Sequence, residues 1–217
     1  MVEHWVFGYG SLMWQPQFTY LEAIPALLVG AHRALCVASV VHRGSRGRPG
    51  LVLGLDVGGR CQGIAFRLAA NDARHIRNEL KKREQVTLVY REAMRRVQLL
   101  NGSSRAVRAL CFLTDRSHPQ YAGSLPVHRQ AWMVRDAVGR SGRNADYVLS
   151  TLGHMKDAEI ADHELNRLVN IFCPCRLPRP PDLSNRTRRR HRSYGVLKPV
   201  PRPVGRKPKL DLGKSRS

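Results

Sequence analysis

Between Leu51 and Leu68 the chain reads LVLGLDVGGRCQGIAFRL, and this stretch constrains the fold more than any other. Two apolar runs, Leu51–Val57 and Cys61–Leu68, flank Gly58-Gly59. A glycine pair between such runs is a hairpin signal, because both turn positions favour φ > 0. Similar segments stand on either side. His4–Gly8 is short and apolar-aromatic, and Ala26–Val41 is long and interrupted by Gly30. Val86–Tyr90, Ala93–Leu100 and Arg105–Leu113 follow, the last after an Asn101-Gly102 turn. Strands joined mostly by short turns predict an antiparallel or mixed sheet that can close on itself.

One helix interrupts the series. Asn71–Lys82 has Ile76 and Leu80 at i, i+4, with Asn71 or Asp72 placed to cap it. The back half is helical in pattern. Val127, Ala131, Val134 and Val138 mark one apolar stripe; Val148, Leu152 and Met155 mark a second, with Asn144 as candidate cap. Leu165, Leu168, Val169 and Phe172 mark a third, and such stripes are core contacts.

Past Cys175 the periodicity stops. Arg176–Ser217 carries 14 of the 37 Lys and Arg, only Asp182 and Asp211 among the acids, and seven of the 13 prolines. Much of the net charge of +21 therefore sits there, leaving about +9 on residues 1–175. The expected organisation is one domain over 1–175 and a disordered, basic Pro/Arg-rich tail over 176–217. Its run RTRRRHR, Arg186–Arg192, could bind nucleic acid or an acidic surface, or be a solvated tail with no specific partner.

The five cysteines, Cys36, Cys61, Cys111, Cys173 and Cys175, are odd in number and lie mostly in apolar runs. That is the pattern of reduced thiols, and the C-x-C at Cys173 has no second pair to complete a zinc site. No basic, then apolar, leader opens the chain, and no stretch approaches the roughly 18 apolar residues of a membrane span. A cytoplasmic location and no bound metal are expected.

The chemistry narrows by elimination. VFGYGSLMW, Val6–Trp14, has Gly8 and Gly10 but no third glycine and no helix start, so it is no dinucleotide fingerprint. No phosphate loop, G-x-S-x-G elbow or H-E-x-x-H pair occurs anywhere. What remains is a glycine-rich turn whose backbone N–H groups can hold a carboxylate or a developing oxyanion. With one base, such a turn suits an intramolecular acyl transfer. Glu84 stands between the basic Lys81–Arg83 and the apolar VTLVY. It reads either as a partly desolvated base or as the partner of a neighbouring arginine. Ser11 reads as nucleophile, hydrogen-bonding hydroxyl or turn residue. Tyr9 suits a pocket hydroxyl or a packed strand, and Arg43 an anion partner or a loop arginine.

Taken in order, WVFGYGSLMWQPQF (Trp5–Phe18), HRG (His42–Gly44), RPGLVLGLDVGG (Arg48–Gly59) and CQGIAFRL (Cys61–Leu68) resemble the opening blocks of the ChaC-like gamma-glutamylcyclotransferases. KREQVTLVYRE (Lys82–Glu92), HPQYAGSLP (His118–Pro126) and GRSGRNADYVLSTLGHM (Gly139–Met155) are similar to the later blocks. The match covers roughly Val2 to Phe172; Lys82 and the basic extension depart from the family pattern. The resemblance implies an α+β fold, a small mixed or antiparallel β-barrel wrapped by helices, with one pocket at the strand ends. It implies glutathione as substrate, 5-oxoproline and Cys-Gly as products, and no cofactor. It places the family's single essential glutamate, a general acid/base, on Glu84. It also implies substrate contacts from Phe7, Gly8, Tyr9, Gly10, Ser11, Leu12 and Tyr121, with Ser11 not a nucleophile. Related cyclotransferases act on other gamma-glutamyl peptides or amines, and that alternative stays open, as does a non-catalytic nucleic-acid-binding protein that acts through its basic tail.

Overall fold

The computed structural model describes residues 3–84, 88–103 and 105–172. The expected boundary at 175/176 and the basic tail lie outside the described residues. The elements are β1 (His4–Gly8), β2 (Glu22–Ser39), β3 (Gly50–Leu68), α1 (Ala73–Glu84), β4 (Tyr90–Leu99) and β5 (Ala106–Thr114). After them come α2 (Val127–Asp136), a two-residue ladder of β6 (Val138–Gly139) with β7 (Gly142–Arg143), α3 (Asn144–Asp157) and α4 (His163–Phe172).

Five strands close a barrel in the order β1-β3-β2-β4-β5, so the α+β barrel expected from the sequence is the fold observed. Closure falls to β1, which lies antiparallel to β3 (Phe7 opposite Ala65) and parallel to β5 (Trp5 opposite Ala109). A strand paired on both edges and covered on both faces reads as an unbroken apolar run. Trp5 and Phe7 face the main buried cluster, whereas Val6 faces a second cluster under α1.

The barrel's long ribbon corrects one expectation. Gly58-Gly59 does not turn a hairpin: β3 runs through it without a break, and β2 pairs with both halves. Gly30 at φ +93° sits opposite Gly58 at +96° and Gly59 at +70°, where the register shifts between Val29 and Ala31. Glycines in the left-handed region on both strands bend the ribbon, as barrel closure requires. The Asn101-Gly102 turn does join β4 to β5, with Gly102 at φ +83°. Of the expected Val86–Tyr90 strand, Leu88 has φ +59° and only Tyr90 belongs to β4; residues 85–87 lie outside the described residues.

Ala73, Ile76 and Leu80 of α1 cover Val6, Leu68, Leu110 and Phe112 on the outside of the barrel. The buried residues of α2, α3 and α4, among them Val134, Val148, Met155 and Leu168, join the main cluster. Val138 leaves its expected stripe: α2 ends at Asp136, and Val138 is exposed in β6. Asn144 is not a cap either. It is fully buried, and its side-chain amide takes both backbone groups of Leu51, accepting from N–H at 2.6 Å and donating to C=O at 2.7 Å. An unanticipated cap is Asp162, whose Oδ1 accepts from Leu165 N–H at 3.0 Å at the start of α4.

Candidate active site

At Gly8 the chain leaves β1 and winds into a 3-10 turn, Ser11–Met13, held by Met13 N–H to Gly10 C=O at 2.9 Å. The turn packs so closely on the strand that a Cβ on Gly8 would press on Leu12 and Phe66. No side chain caps its start. Behind it, Arg33 donates to Tyr9 C=O at 2.6 Å and to Gln62 C=O at 2.7 Å and pairs with Asp162 at 3.2 Å. A buried cation thus fixes the turn to β2, β3 and the segment leading into α4.

This turn forms one wall of a cavity of about 850 Å³. The end of α1 supplies Arg83 and Glu84, the start of β4 supplies Tyr90, and one side of α3 supplies Tyr147, Thr151 and His154. Tyr9, Gly10, Ser11, Leu12 and Glu84, five of the residues singled out from the sequence, line this cavity together. Phe7, Gly8 and Tyr121 stand outside its lining. Phe7 points into the barrel interior, since alternate residues of β1 face opposite ways. Tyr121 pairs with Val37 at the edge of β2 and donates its hydroxyl to buried Asp56 at 2.9 Å, beside Arg116. The cavity's phenols beside Tyr9 are instead Tyr90 and Tyr147, which the sequence pattern does not single out.

Glu84 is the last residue of α1, and its side chain is 18 % exposed. Burial raises its pKa, opposed by Arg83, whose Nε lies 3.4 Å from Glu84 Oε1. The carboxylate is thus both partly desolvated and paired with a neighbouring arginine, and desolvation outweighs the ion pair. A carboxylate at a helix C-terminus also meets the negative end of the helix dipole, which pushes the same way. Arg83 is otherwise occupied: it donates to Gln15 C=O and Gln17 Oε1, each at 3.0 Å, and to Ser11 Oγ at 3.1 Å.

Tyr90 Oη donates to Leu53 C=O at 2.8 Å, and Leu53 N–H donates to Tyr147 Oη at 3.2 Å. Leu53 needs both because β2 slips register between Ala34 and Val37, opposite it. Burial holds the hydroxyls of Tyr9, Tyr90 and Tyr147 neutral, with pKa values above the ordinary phenol range. Trp14 stacks on His154 with ring centroids 4.6 Å apart. Cys36 and Cys111 are buried thiols, pushed up to about 11 and about 12, and neither lines the cavity. Among the described residues, no group of three or more His, Cys, Asp or Glu could hold a metal ion. No helix among them is long and apolar enough to cross a membrane.

A closed barrel thus brings one partly desolvated carboxylate and a glycine turn with no side-chain cap to the lining of a single cavity. The sequence profile of the ChaC-like protein family matches residues 4–172, and this chain belongs to that family. The glutathione-specific gamma-glutamylcyclotransferase of Escherichia coli (strain K12) is 36% identical over 165 residues, covering 76% of this chain and 71% of that one. Glutathione-specific gamma-glutamylcyclotransferase 1 of Homo sapiens is 28% identical over 181 residues, covering 78% and 82%. The crystal structure of a glutathione-specific gamma-glutamyl cyclotransferase from yeast superposes with a TM-score of 0.71 at 20% identity, covering 79% of this chain and 96% of that one. At that identity the structural likeness concerns the fold.

Proposed function

We propose that this protein is a gamma-glutamylcyclotransferase that cleaves glutathione into 5-oxoproline and Cys-Gly, with Glu84 as general base and then general acid. The observation that carries the reading is Glu84 itself, a desolvated carboxylate on the wall of the cavity that Tyr9, Gly10, Ser11 and Leu12 also line. Its relatives' names supply the substrate.

The substrate brings its own nucleophile. Near neutral pH the alpha-amine of the gamma-glutamyl unit is an ammonium, and Glu84 takes its proton. A raised pKa narrows the gap between base and ammonium and eases that transfer. The free amine attacks the gamma-carbonyl carbon, closing a five-membered ring, and the carbonyl oxygen becomes an oxyanion. Backbone N–H groups of Gly10–Leu12 receive that charge, an effect of roughly 3 kcal/mol for one well-placed donor. The C–N bond to the cysteinyl nitrogen then breaks as Glu84 returns its proton to the leaving nitrogen; the second proton of the ring nitrogen passes to the freed amine, so the lactam leaves neutral and Cys-Gly leaves as an ammonium. Holding the gamma-glutamyl chain folded for ring closure is the cavity's main contribution. Ser11 takes no covalent part; its hydroxyl receives Arg83.

A cytoplasmic location goes with this reading, and the free, buried thiols of Cys36, Cys61 and Cys111 suit it. The test is incubation of the purified protein with reduced glutathione, followed by mass spectrometry. Equimolar 5-oxoproline and Cys-Gly, lost in Glu84→Gln, is the expected outcome. Turnover of a different gamma-glutamyl compound with none of glutathione would move the substrate; no turnover of either would sink the reading.

A further inference from the structure

Among the described residues, two arginines line the cavity, and they are in opposite states. Arg83 spends its donors on Gln15, Gln17 and Ser11 and lies against Glu84. Arg43 donates once from Nη1 to Ser141 C=O and lays its guanidinium 5.3 Å over the Tyr147 ring. Among the described residues no carboxylate pairs with Arg43, and Nε and Nη2 find no acceptor. Asp146 lines the same cavity but forms no ion pair with it.

The position of Arg43 is fixed by its surroundings. Its backbone N–H donates to Ser39 Oγ at 2.9 Å. The β6–β7 ladder is stitched to the same loop by Arg140 N–H to Val41 C=O and Ser141 N–H to His42 C=O, both at 2.9 Å. The approach is so close that a Cβ on Gly139 would strike the backbone of His42 and Gly44. A guanidinium held on an aromatic face, with donors left over, is a prepared receptor for a planar anion.

From this geometry we infer that Arg43 binds the carboxylate at the glycine end of the substrate, so that the enzyme selects gamma-glutamyl peptides whose C-terminal carboxylate is free. The inference rests on the cyclotransferase reading above. Under that reading the reacting amine must face Glu84, so the glycine carboxylate lies at the far end of the tripeptide from the reacting amine. Tyr147 feels the charge of both Arg43 and Glu84, which places it within reach of the two poles. Cation at one end and base at the other would set the direction in which the peptide enters.

The test compares steady-state kinetics on glutathione and on its glycinamide analogue, which lacks only that negative charge. Wild type is expected to lose about tenfold in kcat/KM on the amide, mainly through KM. Arg43→Gln should raise KM for glutathione by about the same factor and treat the two substrates alike. Arg43→Lys, which keeps the charge but not the planar fork, should fall between. Equal use of both substrates by wild type, or an Arg43→Gln protein that keeps the wild-type preference, would overturn the assignment. The wild-type ratio decides even if the glutamine variant does not fold. Wild type inactive on every gamma-glutamyl peptide would instead overturn the cyclotransferase reading, and this inference with it.

Discussion

Arg83 Nη2 donates to the Ser11 hydroxyl at 3.1 Å, which ties the residue before Glu84 to the turn that follows β1. The bond gives Ser11 a positioning task. Ser11→Ala should lower kcat/KM about fivefold, the worth of one hydrogen bond. A nucleophilic serine would lose all turnover, so initial-rate measurements on this variant separate the two roles.

Glu84→Gln should reduce kcat by at least about a hundredfold, the lower end of the usual contribution of a positioned base. Its effect on the fold should run the other way. The charge it removes is partly desolvated and only incompletely balanced by Arg83, so thermal unfolding should occur at or above the wild-type temperature. A large drop in melting temperature would mean that the carboxylate is structural.

The pH profile follows from the same shift. A base works only when deprotonated, and burial raises the pKa of Glu84, so activity should fall on the acid side at a pH above the ordinary glutamate value of about 4.3. Arg83 is the neighbour that holds this pKa down. Arg83→Met should therefore move the acid limb of kcat/KM to still higher pH. A limb that stayed in place or moved down would contradict the electrostatic role given to Arg83.

Tyr90→Phe leaves Leu53 C=O without its donor in the gap where β2 slips register. A loss of about 1–3 kcal/mol in stability is expected from urea unfolding. An unchanged midpoint would show that the barrel relaxes to satisfy that carbonyl by other means.

The features legible in the order of residues are those that rest on local pattern. β1 is legible to the residue because a strand covered on both faces is an unbroken apolar run ended by glycine. Gly58-Gly59 misleads because a hairpin turn and a bend in a long strand make the same demand, φ > 0; Gly30, some thirty residues earlier, decides between them. Asn144 fails as a cap for a similar reason, since its partner Leu51 is remote in sequence. At the cavity, Glu84 is conspicuous between its basic and apolar neighbours. Those neighbours already suggest its partial desolvation; what they do not show is the shared cavity with Tyr9, Tyr90 and Tyr147, which come from three separate segments of the chain. Nothing local distinguishes Tyr121, whose hydroxyl is taken by Asp56, from a phenol facing the cavity.

The segment that locks the barrel is also the one that leads into the turn lining the cavity: β1 bonds to β3 on one edge and to β5 on the other, and Gly10 follows two residues after it ends. The first strand of the chain thus waits for Ala109 and Leu110 before it is seated on both sides, a pairing that spans about a hundred residues. Until that late docking, the turn has no rigid base from which to face Glu84. Recovery of turnover during refolding should accordingly lag behind the appearance of helical and strand signal, making the reaction itself a clock for the final closure of the ring.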